Sequence, residues 1–168
     1  MKFLKLIYKI IKLIIKSNLI KTIYINFKTQ PINIAVRFPI IVYGKLRIYS
    51  LKGSLVIDSP IKMGMIHFGK DLDHNPVSLN PIKLQIDGQI CFKGHALISG
   101  GSTITVWNGL LEIGKNVCIG SGVQLKAAEK IIIGDYTRII SLATVMDTNV
   151  HFIKNIKNEL IKRITEPI

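Results

Sequence analysis

The sequence I-G-K-N-V-C-I-G-S-G-V-Q, Ile113–Gln124, contains two copies of a six-residue pattern. Each copy starts with an aliphatic residue and has a small or aliphatic residue four positions later. The pattern recurs in seven pairs along the chain: Ile86–Ile90, Phe92–Ala96, Ile98–Ser102, Ile113–Val117, Ile119–Val123, Ile133–Thr137 and Ile139–Ala143. A sandwich of strands with a period of two is the alternative, but that period does not predict these pairs.

The spacing predicts an all-β fold, a left-handed parallel β-helix of hexapeptide repeats with an N-terminal amphipathic α-helix. Each hexapeptide forms one short strand and one turn, and three of them close a triangular coil. The first residue of each repeat points into the prism and stacks on its equivalent one coil away. Stacked coils bury a continuous core that one repeat cannot bury alone.

Grouping the inward residues gives three coils: Phe92, Ile98 and Ile104; Ile113, Ile119 and Leu125; Ile133, Ile139 and Val145. The coils therefore start at Phe92, Ile113 and Ile133, which are further apart than three uninterrupted hexapeptides would reach. The excess predicts small corner loops at 106–111 and 127–130.

The remaining segments divide the chain. Residues 84–153 form the regular coils, and 26–83 form irregular first coils with strands at 46–51 and 54–57. A loop at 68–81 is rich in turn residues. Residues 154–168 are a basic segment that would lead to further coils.

The N-terminal segment, 1–25, is predicted to be a basic amphipathic helix whose helical pattern ends near Lys21. Its lysines at 2, 5, 9, 12 and 16 fall within an arc of roughly 80° on a helical wheel, and apolar residues occupy the rest. Such a helix can lie on an anionic membrane through residues 1–21, with its lysines reaching lipid phosphate. The alternative is a helix that packs on the β-domain or on a partner subunit.

The charge distribution and the cysteines narrow the function. The net charge of +13 is concentrated near the two ends of the chain, so the coils lack the basic stripe that a nucleic-acid binder needs. Cys91 and Cys118 have no C-x-x-C spacing, which favours reduced cytosolic thiols over a disulfide framework. Every long apolar run is interrupted by a charge before it could cross a bilayer, so we expect no transmembrane span.

The repeat followed by V-M-D-T-N-V-H, 145–151, resembles the hexapeptide acyltransferases that O-acetylate sugars and surface polysaccharides. The basic start and the stretch P-I-N-I-A-V-R-F-P-I-I-V-Y-G, 31–44, are similar too. The resemblance covers nearly the whole chain. It implies acetyl-CoA as acyl donor, a sugar or glycan acceptor, a homotrimer with the donor between subunits, and His151 as the catalytic base.

The chemistry fits a histidine. Acetyl transfer to a hydroxyl needs a base near neutral pH, and a neutral imidazole supplies one without an acyl-enzyme. Asp147 is close enough in sequence to orient the imidazole or to bind the acceptor. We assign substrate binding to Asn149 and to Trp107, whose ring could stack on a sugar or adenine. We expect no metal and name no residue for the donor.

Two departures support a rival hypothesis. The residue before the histidine is Val150, where the family usually has an aromatic residue, and the chain ends at T-E-P-I where the family continues with more coils. The sequence therefore also fits a truncated, inactive, membrane-associated structural or assembly subunit. In both hypotheses we expect a cytoplasmic protein, peripheral on the inner face of the cell membrane.

Three other histidines raise the hypothesis of a zinc site. Such a site needs histidines that converge, with one pair close in sequence. His67, His74 and His95 are spread too widely along the chain to supply such a pair, which speaks against the site.

Overall fold

In the computed structural model the chain is mostly β, with parallel strands stacked in sheets and few helices. It describes residues 17–70, 74–154 and 160–165, with side chains as far as Thr148. Successive strands of the chain fall in successive sheets, so the backbone passes through three sheets in turn and then returns to the first.

The strand order shows this winding. The first sheet has the order β1-β4-β7-β10-β13, the second β14-β11-β8-β5-β2, and the third β12-β9-β6-β3. The strands are β1 (Ile40–Val42), β2 (Leu46–Leu51), β3 (Ser54–Ile57), β4 (Ile66–Phe68), β5 (Ile82–Ile86), β6 (Gln89–Phe92), β7 (Ala96–Ile98), β8 (Thr103–Val106), β9 (Leu110–Ile113), β10 (Val117–Ile119), β11 (Gln124–Ala127), β12 (Lys130–Ile133), β13 (Arg138–Ile139), β14 (Thr144–Met146), β15 (Thr148–Lys154) and β16 (Leu160–Thr165).

The strand register confirms the grouping of the inward residues. Ile98, Ile119 and Ile139 are successive partners in the first sheet. The other two predicted ladders pair in the same way: Ile104, Leu125 and Val145 in the second sheet, and Phe92, Ile113 and Ile133 in the third. Most of these side chains are fully buried, whereas Ile139 and Val145 in the last pair of coil strands are half-buried.

The first strands are less regular, as expected. β2 and β3 occupy the predicted ranges, and the pairing of β2 with β5 shifts register between Ile48 and Ser50. The predicted loop at 68–81 starts one residue early, because Phe68 ends β4; its other described residues hold only a 3-10 turn, Pro76–Leu79. The corners after β8 and β11 fall within the predicted loops 106–111 and 127–130.

The N-terminal helix differs from the prediction of one helix over 1–25. Residues 1–16 lie outside the described residues. Ser17 forms an isolated bridge with Tyr43, and the Asn18 side chain then caps a helix by accepting the N–H of Lys21 at 3.1 Å. This helix, α1 (Leu19–Thr29), extends past Lys21, and the short α2 (Ile32–Ala35) follows it. Because the backbone of Asn18 is extended, α1 begins at this cap.

The chain after β14 also differs from the prediction, which continued regular coils to residue 153. Instead β15 pairs antiparallel with β16, a pairing that falls across the predicted boundary at 154. In the last coils, strand partners are separated along the chain by the same number of residues as Leu125 and Val145. Another strand at this spacing would place His151 over buried Ile131, a position suited to an apolar side chain.

Among the described residues, no helix has the length and apolarity needed to cross a membrane.

The ladder predicts a sharp contrast between two isoleucines. Ile119 is 0% exposed and Ile140 is 79% exposed. We expect Ile119→Asp to cost about 4 kcal/mol or more and to prevent stable folding, because its carboxylate would be buried without a partner. Ile140→Asp should cost less than about 0.5 kcal/mol. Urea unfolding followed by circular dichroism measures both, and a cooperatively folded Ile119→Asp protein would show that the register is wrong.

Candidate functional site

Two of the predicted site residues lie at the same corner of the stacked coils. Trp107 follows β8, and its backbone N–H donates to the carbonyl of Ala127 at 3.0 Å. Asp147 follows β14 and binds the same turn, which joins β11 to β12. The structure therefore places Trp107 and Asp147 on opposite sides of this turn at the same corner, one coil before it and one coil after it.

The carboxylate of Asp147 is held by three backbone N–H groups. Its Oδ1 accepts from Ala128 at 2.7 Å, and its Oδ2 accepts from Glu129 and Lys130, both at 2.8 Å. The residue is buried, with 5% of its surface exposed. Hydrogen bonds to an ionised carboxylate are among the strong ones, so Asp147 fixes the corner turn and the start of β15. A direct contact between Asp147 and an acceptor or His151 stays a prediction.

Asn149 and His151 lie on β15, two and four residues after Asp147. Their side chains are outside the part of the chain that the structure describes. The backbone shows only that the strand carrying both residues starts at an anchored point, directly after the Asp147 carboxylate.

A polar groove of about 580 Å³ runs along this same corner. Its lining includes Asp87, Asn108 and Glu129, one from each of three stacked turns. The backbone N–H of Glu129 is a ligand of Asp147, so the groove reaches the turn that Asp147 holds. Carboxylates and amides at the turns suit a ligand with many hydroxyl groups.

The turns along the groove stack closely because three of them carry glycine, at positions 53, 88 and 109. A Cβ at Gly88 would lie 2.8 Å from the carbonyl oxygen of Trp107, and one at Gly109 would lie 2.6 Å from that of Ala128. Only glycine permits such an approach without a shift of the backbone.

Asp87 is a groove residue that the sequence analysis missed. Its carboxylate accepts from Gln85 Nε2 at 2.7 Å and from the Ser50 hydroxyl. Hydrogen bonds from Gln85 and then Ser50 hold the pKa of the Asp87 carboxyl below its usual value. Asp87 is thus a carboxylate near neutral pH. The Asp-Gly turn after Ile86 could be identified in the sequence, but the sequence did not show which other turns stack against it.

A second site lies at another corner, where two of the three histidines of the zinc hypothesis meet. The rings of His67 and His95 are 5.8 Å apart, and the ring of Tyr43 is 5.3 Å from that of His67. His95 lines a groove of about 600 Å³ together with Lys62, Met63 and Lys115, among others. Within the described residues no group of three or more His, Cys, Asp or Glu side chains is placed to hold a metal.

The two imidazoles are electrostatically disfavoured as cations. Burial, then the charges of Lys70 and His95, lower the pKa of His67 from 6.5 to about 4. Burial and Lys70 also lower the pKa of His95. Among the described residues, His67 Nδ1 is buried without a hydrogen-bond partner. The lowered pKa values make both rings neutral at physiological pH.

This arrangement predicts that stability falls in weak acid. The unfolded chain binds a proton at His67 below about pH 6.5, whereas the folded chain resists it until pH 4 is approached. The free energy of unfolding should therefore drop by about 1–2 kcal/mol between pH 7 and pH 5, after allowance for solvent screening. His67→Phe should flatten that slope in urea titrations, and the loop variant His74→Gln should keep it. An unchanged slope in His67→Phe would contradict the assignment.

The three hydrogen bonds of Asp147 give a second prediction. Asp147→Ala leaves three backbone N–H groups unpaired in a partly buried turn, and should destabilise the fold by about 2–3 kcal/mol. Asp135→Ala is the matched control, because Asp135 accepts one exposed backbone N–H, that of Lys115, at 2.7 Å. It should cost less than about 1 kcal/mol. Thermal unfolding measures both, and equal losses would argue against the anchoring role.

No protein-family model, curated protein or solved structure matches the chain. The resemblance to the hexapeptide acyltransferases is a prediction from the repeats and from the D-T-N-V-H sequence of the chain itself.

Proposed function

We propose that the chain is a left-handed parallel β-helix acyltransferase that transfers acetyl from acetyl-CoA to a hydroxyl of a sugar or surface-polysaccharide precursor. The observation that carries this proposal is the anchoring of Asp147 on the turn of the polar groove. It makes the strand with His151 begin beside a site suited to a hydroxyl-rich acceptor. The hexapeptide spacing and the stacked parallel sheets support the fold part of the proposal.

In the proposed reaction, the acceptor hydroxyl oxygen attacks the thioester carbonyl of acetyl-CoA while His151 takes the hydroxyl proton. The tetrahedral intermediate then collapses, the C–S bond breaks, and the proton passes to the leaving thiolate to give CoA-SH. A positioned imidazole base contributes roughly 10²–10⁴ in rate. No covalent enzyme intermediate and no metal are required.

The acceptor is proposed to lie in the groove with Asp87, Asn108 and Glu129, where each side chain can accept or donate to hydroxyl groups. Trp107, which directly precedes Asn108 in the chain, would stack on a sugar ring of the acceptor. Asn149 would bind the acceptor from β15. The donor is proposed to bind between subunits of a homotrimer, as the family resemblance implies.

A second function competes with the enzyme. A catalytically inactive, membrane-associated structural or assembly subunit is favoured by one observation, the outward apolar face of α1, which includes Ile20 and Ile23. Both functions place the protein in the cytoplasm, at the inner face of the membrane, with residues 1–21 in contact with anionic lipid.

Acetyl transfer distinguishes the two functions. Release of CoA thiol from acetyl-CoA, measured with a panel of methyl hexosides as acceptors, should be acceptor-dependent. His151→Ala should lower kcat by about 10²–10³ without unfolding the protein. His74→Ala is the matched control and should keep the parent rate.

Two results would count against the enzyme. Undiminished transfer by His151→Ala would remove the catalytic assignment, and absence of transfer by the parent with every acceptor would favour the structural subunit.

A further inference from the structure

Most apolar side chains of helix α1 face solvent, although Ile25 is buried in the core. Ile20, Ile23, Tyr24 and Phe27 follow the three- and four-residue spacing of one helix face. All four are exposed, Ile20 by 79% and Phe27 by 45%. A surface helix normally turns its apolar stripe inward and its polar residues to water.

The inward face of α1 is largely polar, and its polar side chains form hydrogen bonds with the edge of the first sheet. Thr22 Oγ1 accepts the N–H of Val42 at 3.0 Å. Asn26 donates to the Ile40 carbonyl at 2.7 Å and accepts the Ile40 N–H at 3.2 Å. These contacts satisfy backbone groups of β1 that would otherwise face solvent at a sheet edge. They also fix which face of the helix points outward.

The exposed face continues beyond α1. Ile32 on α2 and Val36, which follows it, are 65% and 53% exposed. Helices α1 and α2 contact each other. Exposed apolar side chains grouped on adjoining helices mark interaction sites, unlike apolar side chains scattered singly over a surface. We call this surface, formed by Ile20, Ile23, Tyr24, Phe27, Ile32 and Val36, the α1–α2 face.

The charge around the α1–α2 face selects its partner. Residues 1–57 contain eleven Lys and Arg and no Asp or Glu. Lys21 and Lys28 lie on α1 itself, and Lys21 Nζ is 6.0 Å from the centre of the Tyr24 ring. Two copies of so basic a region repel each other, whereas an anionic lipid surface attracts both the lysines and the apolar side chains between them.

We propose that the α1–α2 face docks on a membrane that contains anionic lipid, with Ile20, Ile23 and Phe27 inserted between headgroups. This contact is carried by folded helices and extends the one proposed for residues 1–21. It does not depend on acetyl transfer, so either proposal can fail while the other stands.

Vesicle sedimentation tests the proposal with the full chain. The parent should bind vesicles of phosphatidylcholine and phosphatidylglycerol in equal parts, and high salt should weaken the binding. The variant I20S/I23S/F27S should lose at least about tenfold in partition coefficient, because three inserted side chains are removed. Each of these side chains is at least 42% exposed, so circular dichroism should match the parent. Thermal unfolding should shift only slightly, because Phe27 also contacts the ring of Phe38.

The control variant is I132S/I140S/L142S, which removes three exposed apolar side chains of the coils. It should bind like the parent. Parent-level binding by I20S/I23S/F27S would overturn the proposal. An equal loss in the control would do so too. Sedimentation velocity tests whether a second copy of the chain covers the α1–α2 face instead. If the parent is an oligomer that does not bind vesicles, and I20S/I23S/F27S is a monomer, the α1–α2 face is a contact between copies.

Discussion

The structure depends on the vertical stacking of aliphatic side chains between successive coils. In the first sheet, one ladder runs through Val42, Phe68, Ile98, Ile119 and Ile139, and each residue contacts its partner one coil away. No coil can bury its inward side chains by itself, because the coils on either side are needed to cover them. The six-residue spacing, the strand register and the position of every corner follow from the need to keep these ladders in line.

Residues at the corners do not have to pack into these ladders, and the polar side chains of the candidate sites are concentrated there. Asp147, Asp87 and His95 lie at or next to turns, where side chains need not fit the interior, and His67 on β4 approaches His95 from the neighbouring coil. Stacking brings such residues together along a corner although the chain separates them by a whole coil. A rigid set of ladders thus holds polar groups in fixed rows, which is the usual relation between a scaffold and its functional loops.

The sequence predicted the ladders well and the polar clusters poorly, for a physical reason. The inward positions of the regular coils repeat at a nearly constant interval, so their partners could be assigned by counting. Ile66 and Ala96 are partners across a much longer interval of sequence, because a loop interrupts that coil. Counting residues therefore could not predict that His67 and His95 lie close together. Amphipathic spacing in α1 was equally visible, but only the hydrogen bonds of Asn26 and Thr22 decide which face is inward. The role of Asp147 depends on which turn its strand lies beside.

The protection of β1 by α1 has a consequence for biosynthesis. The ribosome releases α1 and β1 before the later strands of the stack, so the helix can cover the edge of β1 while those strands emerge. Each later strand then finds its template only about one coil behind it in the chain, which keeps the loop to be closed short. Because Thr22 and Asn26 already bind the backbone of β1, the first sheet can add strands only at its opposite edge. The helix therefore gives this sheet one closed edge and one edge that is open to growth.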